Sequence, residues 1–247
     1  MPVLLFPRLL CLALLLSLCL PAPAAGAQAG DAAIPTYATQ LPPPAQLDYS
    51  LRHGLLRGQG QLTWQPAPDA YRLRLTGTVF GMSVLGWDSE GGVDAHGLAP
   101  RRFTDQRLNR APNLARFDRD AGRIRYPGRP TEMPLPAGAQ DRLSWMVQLP
   151  AILLANPALQ APGQRVTIFV TGARADADAW TFVVMGRDTL ALPAGRVPDA
   201  LHLQRAPRKP EDSRAEAWLD PARGLLPVRA RFSDADGGDV TDFLLSR

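Results

Sequence analysis

Hydrophobic positions along this chain follow two different periods. Leu47, Tyr49 and Leu51 alternate with Asp48, Ser50 and Arg52. Further on, Tyr71, Leu73, Leu75 and Val79 alternate with Arg72, Arg74, Thr76 and Thr78. A helix would scatter those arginines around its axis, whereas a strand sends them all to one solvent face. Between these runs, Gly58 and Gly60 interrupt a stretch ending in Leu62 and Trp64, and Pro66, Pro68 and Asp69 supply a turn. Residues 81–85 and 87–93 continue the meander, with Gly91-Gly92 as a bend or bulge. Phe103, Phe117, Ile124 and Tyr126 mark further short strands, and Asp120-Ala121-Gly122 forms the turn before Arg123. Past residue 165, 166–170 and 180–185 are nearly apolar on both faces, and alternation returns at 201–203, 215–219, 226–232 and 240–245. Asp236-Gly237-Gly238 reads as the turn before the last of these strands.

The second period is helical and covers one place. Leu143, Met146 and Val147 keep the i, i+3, i+4 spacing, and Trp145 and Leu149 widen the stripe until most of the circumference is apolar. Such a helix is a buried one. Asp141 stands where an N-cap belongs. Pro150 is expected to end this helix and to open a second short one running to Asn156-Pro157. Some ten to twelve strand segments around this centre predict a mainly β protein, an antiparallel curved sheet or half-barrel packed around one or two short helices.

The first residues stand outside that pattern. Arg8 precedes an apolar run over 9–20, followed by Pro21, Pro23 and Ala24-Ala25-Gly26-Ala27. That order reads as a secretory signal peptide over 1–27, cleaved on export, with no transmembrane segment left in the mature chain. Bulky Leu18 before Cys19 disfavours a lipoprotein cleavage box. Residues 28–45, rich in Ala, Gly and Pro, read as a stiff linker, and 46–247 as a single β-rich domain. Both cysteines, Cys11 and Cys19, lie in the leader. The exported domain must therefore be held by its apolar core alone, in a compartment read as periplasmic.

Removing Arg8 leaves 26 basic and 23 acidic residues, a net charge of +3. Lys209 is the only lysine, and no basic run is interleaved with aromatics, so nucleic acid is not an expected partner. The basic charge is polarised all the same. From Arg101 to Arg129 there are nine arginines against Asp105, Asp118 and Asp120. Arg101, Arg102, Arg107 and Arg110 are the candidates for an arm facing anionic headgroups or lipopolysaccharide phosphates, since guanidinium forks suit phosphate. The plainer alternative is a set of solvated hairpin faces.

Several motifs together resemble a known family. Asp141-Arg142-Leu143-Ser144-Trp145 followed by Val147-Gln148-Leu149 is similar to the signature helix of the exported bacterial proteins grouped as domain of unknown function 3108. Ser89-Glu90-Gly91 followed by Gly97-Leu98-Ala99-Pro100, then Arg116-Phe117-Asp118, then Ala217-Trp218-Leu219-Asp220 with Leu226-Pro227-Val228-Arg229, resemble its other segments in the same order. Pro150 departs from the arginine usual in that family, which suggests an earlier helix end here. The resemblance implies a secreted, mainly antiparallel β fold and brings no catalytic residues with it.

Catalytic chemistry is hard to assemble. His53, His96 and His202 stand apart, with no His or Cys at metal spacing, so no metal or cofactor is expected. Gly81-Met82-Ser83-Val84-Leu85-Gly86 lacks the G-x-S-x-G of a nucleophile elbow. Asp234, Asp236 and Asp239 suggest a calcium loop, yet Leu245 stands where its bidentate Glu belongs. The two-faced apolar strands allow either a solid core or a cavity for one apolar ligand lined by Trp145, Trp180 and Phe182. A non-enzymatic envelope protein that binds a lipid or other apolar component is thus the leading expectation. The competing one is an interaction or assembly factor with an envelope protein partner, which predicts a filled core and an exposed apolar or edge-strand patch.

Overall fold

The alternation builds one long antiparallel meander. The computed structural model describes residues 34–205, 214–233 and 240–247, which fall within one compact unit, Ile34–Arg247. In chain order β1 (Ala45–His53), β2 (Leu56–Pro66), β3 (Ala70–Val79), β4 (Met82–Asp94), β5 (Gly97–Arg107), β6 (Asn113–Asp118), β7 (Arg123–Arg125) and β8 (Glu132–Pro134) each pair with the next. The chain then crosses to the opposite edge of the sheet. There β9 (Gln140–Asp141) leads into helix α1 (Trp145–Ala155), a 3₁₀ turn (Pro157–Gln160) and β10 (Arg165–Thr171), which runs parallel to β9. From β10 the meander returns through β11 (Ala177–Leu192), β12 (Gly195–Arg205), β13 (Arg214–Asp220), β14 (Leu226–Ser233) and β15 (Val240–Leu245). The last strand pairs with the first, Leu51 opposite Phe243, which joins the two halves into a 15-stranded curved sheet. The count exceeds ten to twelve because β7, β8 and β9 have only two or three residues, too few to show a period.

Burial follows the sequence pattern closely. Leu47, Tyr49 and Leu51 of β1 and Tyr71, Leu73 and Leu75 of β3 face the core, while Arg72 and Arg74 face solvent. The predicted bulge is present, with the β4–β5 register shifting between Glu90 and Gly91. At that shift a Cβ on Gly91 would lie 2.2 Å from the Ala99 carbonyl oxygen, so only glycine fits. Gly97 to Pro100, one of the segments that resemble the family, opens β5.

Helix α1 is buried over nearly its whole surface and touches β5, β9, β10 and β14, so the sheet wraps it from both halves. Pro150 does not end it. The helix runs through Pro150 to Ala155, and no second α-helix opens there. An interior proline forfeits one backbone hydrogen bond, at a cost of about 3 kcal/mol. Burial of Leu149, Ala151, Ile152 and Leu153 on both sides of it offsets that loss, since tertiary packing supplies most helical stability in proteins. The N-cap position belongs to Ser144, and Asp141 acts from three residues before it: its Oδ1 accepts from the N–H groups of Leu143 and Ser144, both at 2.8 Å.

Two glutamines hold the far edge of the sheet to its first half. Gln148 of α1 accepts from the Leu98 N–H (2.8 Å) and donates to the His96 carbonyl (2.6 Å), while Gln140 of β9 donates to the Leu98 carbonyl (2.8 Å). Gly97 must be glycine here: its φ is +96°, and a Cβ would lie 2.5 Å from Gln148 Oε1. Residues 37–42 also belong to the packed body, although the stretch over 28–45 reads as a linker. Tyr37 and Leu41 pack on the core, the Gln40 N–H donates to the Ala151 carbonyl, and Trp64 Nε1 donates to the Pro42 carbonyl. The expected signal peptide over 1–27 and the Asp236-Gly237-Gly238 turn lie outside the described residues.

Candidate functional site

Antiparallel register, rather than sequence proximity, assembles the most strongly charged surface. Arg102 of β5 lies directly opposite Arg116 of β6, and Arg116 lies opposite Arg125 of β7. Like charges facing each other across strands are destabilising, so a three-strand arginine ladder is a costly feature for the fold alone. The alternate residues Phe103, Ala115, Phe117 and Ile124 are buried, which sends all three guanidiniums to the solvent side. Arg101, the extra residue of the β4–β5 bulge, joins them. Together with Arg129, Tyr126, Pro127 and Pro130 they border an open cleft of about 730 Å³.

Acid groups neutralise only part of this charge. Arg125 donates to Asp118 (2.6 Å) and Glu132 (2.9 Å), and Arg102 stands 3.9 Å from Glu90. Arg101, Arg116 and Arg129 have no acidic partner among the described residues. Three guanidiniums without acidic partners over a cleft with aromatic and proline walls offer the donors and the charge that suit an anion.

The sequence-derived candidates divide. Arg101 and Arg102 line the cleft. Arg107 does not: it is spent on Asp105 at 2.7 Å and lies 5.1 Å over the Trp87 ring. Arg110 sits on the β5–β6 turn, away from the ladder. Arg116, Arg125 and Arg129 were missed, because pairing register is not visible in one sequence. The aromatic trio does come together. Trp145 stacks on Phe182 with centroids 4.9 Å apart, and Trp180 lies 5.9 Å from Trp145 and 6.2 Å from Phe182. Arg205 covers the outer side of Trp180 at 4.3 Å. These rings occupy the space between helix and sheet by closing on one another.

A buried polar chain lies beneath α1. Tyr71 Oη and Ser89 Oγ are 2.9 Å apart, and the Ser89 hydroxyl donates to Asp141 Oδ2 at 2.5 Å. Ser144 Oγ accepts from the Asp141 N–H at 2.8 Å. Burial raises the Asp141 carboxyl to about 6, with Ser89 and the Ser144 and Leu143 N–H groups pulling it back. Burial, and after it the Asp141 charge, pushes the Tyr71 phenol well up, so Tyr71 keeps its proton and donates to Ser89. The chain ties β3 and β4 to β9 and the helix start on the buried face of the sheet, whereas the arginine ladder lies on the solvent face. No group of three or more His, Cys, Asp or Glu residues placed to hold a metal occurs among the described residues. His202 packs between Asp188 (3.4 Å) and Glu216 (3.3 Å) and stacks on Trp218.

Comparison with known proteins adds family and fold. A family model described as "Protein of unknown function (DUF3108)" matches residues 46–244. No curated protein matches the chain. Among solved structures, a β-barrel-like protein of domain of unknown function DUF1849 from Brucella abortus is similar at 15% identity and a TM-score of 0.50, over 84% of this chain and 97% of that one. MucB matches at 14% identity and a TM-score of 0.36, over 85% of this chain and 54% of its own. The first likeness fixes the fold as barrel-like; at these identities neither transfers a function. No helix among the described residues is long and apolar enough to cross a membrane.

Proposed function

Because this chain belongs to the DUF3108 family, whose description carries no activity, we propose a function from its own surface: a non-enzymatic protein of the bacterial envelope that holds the phosphate of an envelope lipid in the β5–β8 arginine cleft. One observation carries the reading. Arg102, Arg116 and Arg125 stand in direct cross-strand register although their mutual repulsion costs stability, and Arg101 and Arg129 point more uncompensated charge at the same opening. Export through a cleaved leader and a periplasmic site belong to this proposal. They rest on the order of Arg8, the apolar run and the small residues at 24–27.

The lipid enters this reading by its headgroup. The Trp145–Trp180–Phe182 cluster, a candidate wall for an acyl chain, is packed ring against ring, which supports a solid core at that point. The same packing favours the second reading, an interaction factor, as do the exposed side chains Leu55, Phe80 and Met82. Strand addition by a partner is poorly served, however. The sheet edges are β8, three residues ending in Pro134, and β9, two residues long.

Titration calorimetry with a short-chain, water-soluble phosphatidylglycerol tests the cleft. Binding should weaken about tenfold in Arg116→Gln and fall steeply with added salt. Equal affinity in the parent and in Arg101→Gln/Arg116→Gln, or no heat at millimolar ligand, would dismiss the cleft as a ligand site.

A further inference from the structure

Five large apolar side chains stand in solvent at one end of the sheet. Leu55 is 96% exposed, Phe80 81%, Met82 52%, Leu56 45% and Leu108 41%. They sit on three hairpin tips: β1–β2, β3–β4 and β5–β6. Register makes these tips neighbours. Gly58 pairs with Val79, so the first tip flanks the second, and Leu85 pairs with Arg107, so the third flanks the second on its other side.

The middle tip is built against its own stability. Phe80 and Gly81 are the two central residues of a tight hairpin, with φ of +50° and +76°. Positive φ at both positions belongs to a turn that favours Asn-Gly. An aromatic residue adopts the left-handed region only with strain, and this one is also held out in water. Neither feature serves the fold, so the side chain is presented for something else.

Arginines surround the apolar tips. Arg52 and Arg57 flank the first, and Arg107 and Arg110 flank the third. Arg52 and Arg110 have no acidic partner among the described residues, whereas Arg107 is paired with Asp105. Asp242, opposite Arg52, is already engaged by Arg229 at 2.7 Å. Asp234, Asp236 and Asp239, between β14 and β15, lie outside the described residues, so their charge is addressed by the measurement below.

We propose that the three tips dock the protein on an anionic lipid bilayer, with Leu55, Leu56, Phe80, Met82 and Leu108 entering the interface and Arg52, Arg57 and Arg110 holding headgroup phosphates. Greasy side chains beside arginines match a bilayer in depth, an apolar layer under an anionic one. Separate projecting tips suit a soft surface better than a protein partner, which needs a continuous patch of about 800 Å² on each side. The inference is independent of the arginine cleft, which lies on the solvent face of β5–β7.

The chain from 34 to 247 has no cysteine, so one introduced thiol reports one place. Leu55→Cys and Phe80→Cys, each carrying an environment-sensitive fluorophore, should brighten and shift to the blue on phosphatidylglycerol/phosphatidylcholine vesicles. Ala121→Cys, on an exposed turn at the opposite end, should not. Flotation with the same vesicles should fall at least tenfold for Leu55→Ser/Phe80→Asn, a pair whose fold is checked by its thermal melt, and stay at parent level for Arg196→Gln, an exposed arginine of the β11–β12 hairpin outside both the tips and the cleft. Silent tip labels, an equal response at Ala121→Cys, or equal binding to pure phosphatidylcholine vesicles each overturn the proposal. Loss of flotation in Arg116→Gln alone would also overturn it and assign membrane contact to the cleft.

Discussion

Replacing Asp141 by Asn tests whether the buried chain beneath the helix behaves as its geometry requires. The carboxyl is fully buried and raised from its ordinary 3.8 to about 6. In the folded protein it therefore holds its proton more tightly than in the unfolded chain. The folded state binds more protons between pH 4 and 6, so this group's contribution to stability falls as pH rises through that window and levels off above it. A shift of about two units corresponds to roughly 3 kcal/mol. Asn keeps the Oδ1 acceptor for the Leu143 and Ser144 N–H groups, and its Nδ2 can donate to Ser89 Oγ while Ser89 turns its own proton toward Tyr71 Oη and the Tyr71 proton turns to the Ser144 hydroxyl. One amide N–H is left without a partner, at about 1–2 kcal/mol. Asp141→Asn should thus be more stable than the parent by about 1–2 kcal/mol at pH 7.5 and less stable by a similar amount at pH 4. Urea unfolding of both proteins at unit pH steps reads the difference directly, because titrations elsewhere cancel in the subtraction. A parent-minus-variant difference that stays flat from pH 4 to 8, or that favours the parent more as pH rises, would refute the assignment.

Three further outcomes follow from the packing. Trp145→Ala should cost about 3–5 kcal/mol in denaturant unfolding, as for a ring taken from a filled core; a loss under 1 kcal/mol would mean the ring borders open space instead. Gln148→Ala strips partners from the Leu98 N–H and the His96 carbonyl, for about 2–3 kcal/mol, and calorimetry should show the melting temperature lower by roughly 4–10 °C in a domain of this size. Phe80→Asn should raise stability by about 1 kcal/mol, since Asn accepts the left-handed backbone that Phe80 bears under strain; a destabilised variant would show that Phe80 packs against something in the folded chain.

What the sequence discloses about this protein depends on the range of the interactions involved. The faces of β1 and β3 were legible because period two is a local property: placing Leu73 inward forces Arg72 and Arg74 outward. The helix was legible in position but not in extent, since Pro150 argues locally for a break and only contacts from distant strands override it. Tyr37 and Leu41 were hidden in a stretch poor in apolar residues, where their partners, the helix and β10, lie more than a hundred residues away. Asp141 was recognisable as a capping residue, yet its bond to Ser89, 52 residues earlier, was not. The arginine excess between 101 and 129 was plain, but its division into a ladder, a spent Arg107 and a turn-borne Arg110 is a matter of strand register, set by a bulge at Gly91 and two short hairpins.

That division bears on how the surface evolved its charge. A random scatter of nine arginines over hairpin faces would place some opposite acids and some opposite neutral residues, as Arg74 finds Asp88 across the β3–β4 pair at 2.7 Å. On β5 to β7 the successive cross-strand partners are instead Arg102, Arg116 and Arg125; acids relieve only the outer two, Glu90 beside Arg102 and Asp118 and Glu132 on Arg125, and the central Arg116 has no acidic partner among the described residues. Phe80 poses the same problem at the sheet's end, where a cheap turn residue is replaced by an exposed aromatic in the left-handed region. Both places lower stability where the fold had easier choices, and both add a chemical group that water alone does not require. A protein with no cysteine in its folded unit, held only by its core, can bear such costs because the Trp145 cluster is packed ring against ring and Gln140 and Gln148 tie β9 and the helix to Leu98, even though Trp145 Nε1 and Gln140 Oε1 are left without hydrogen-bond partners. The stable centre and the strained periphery are therefore one arrangement, in which the packed helix makes it possible to leave charge and grease uncompensated at the surface.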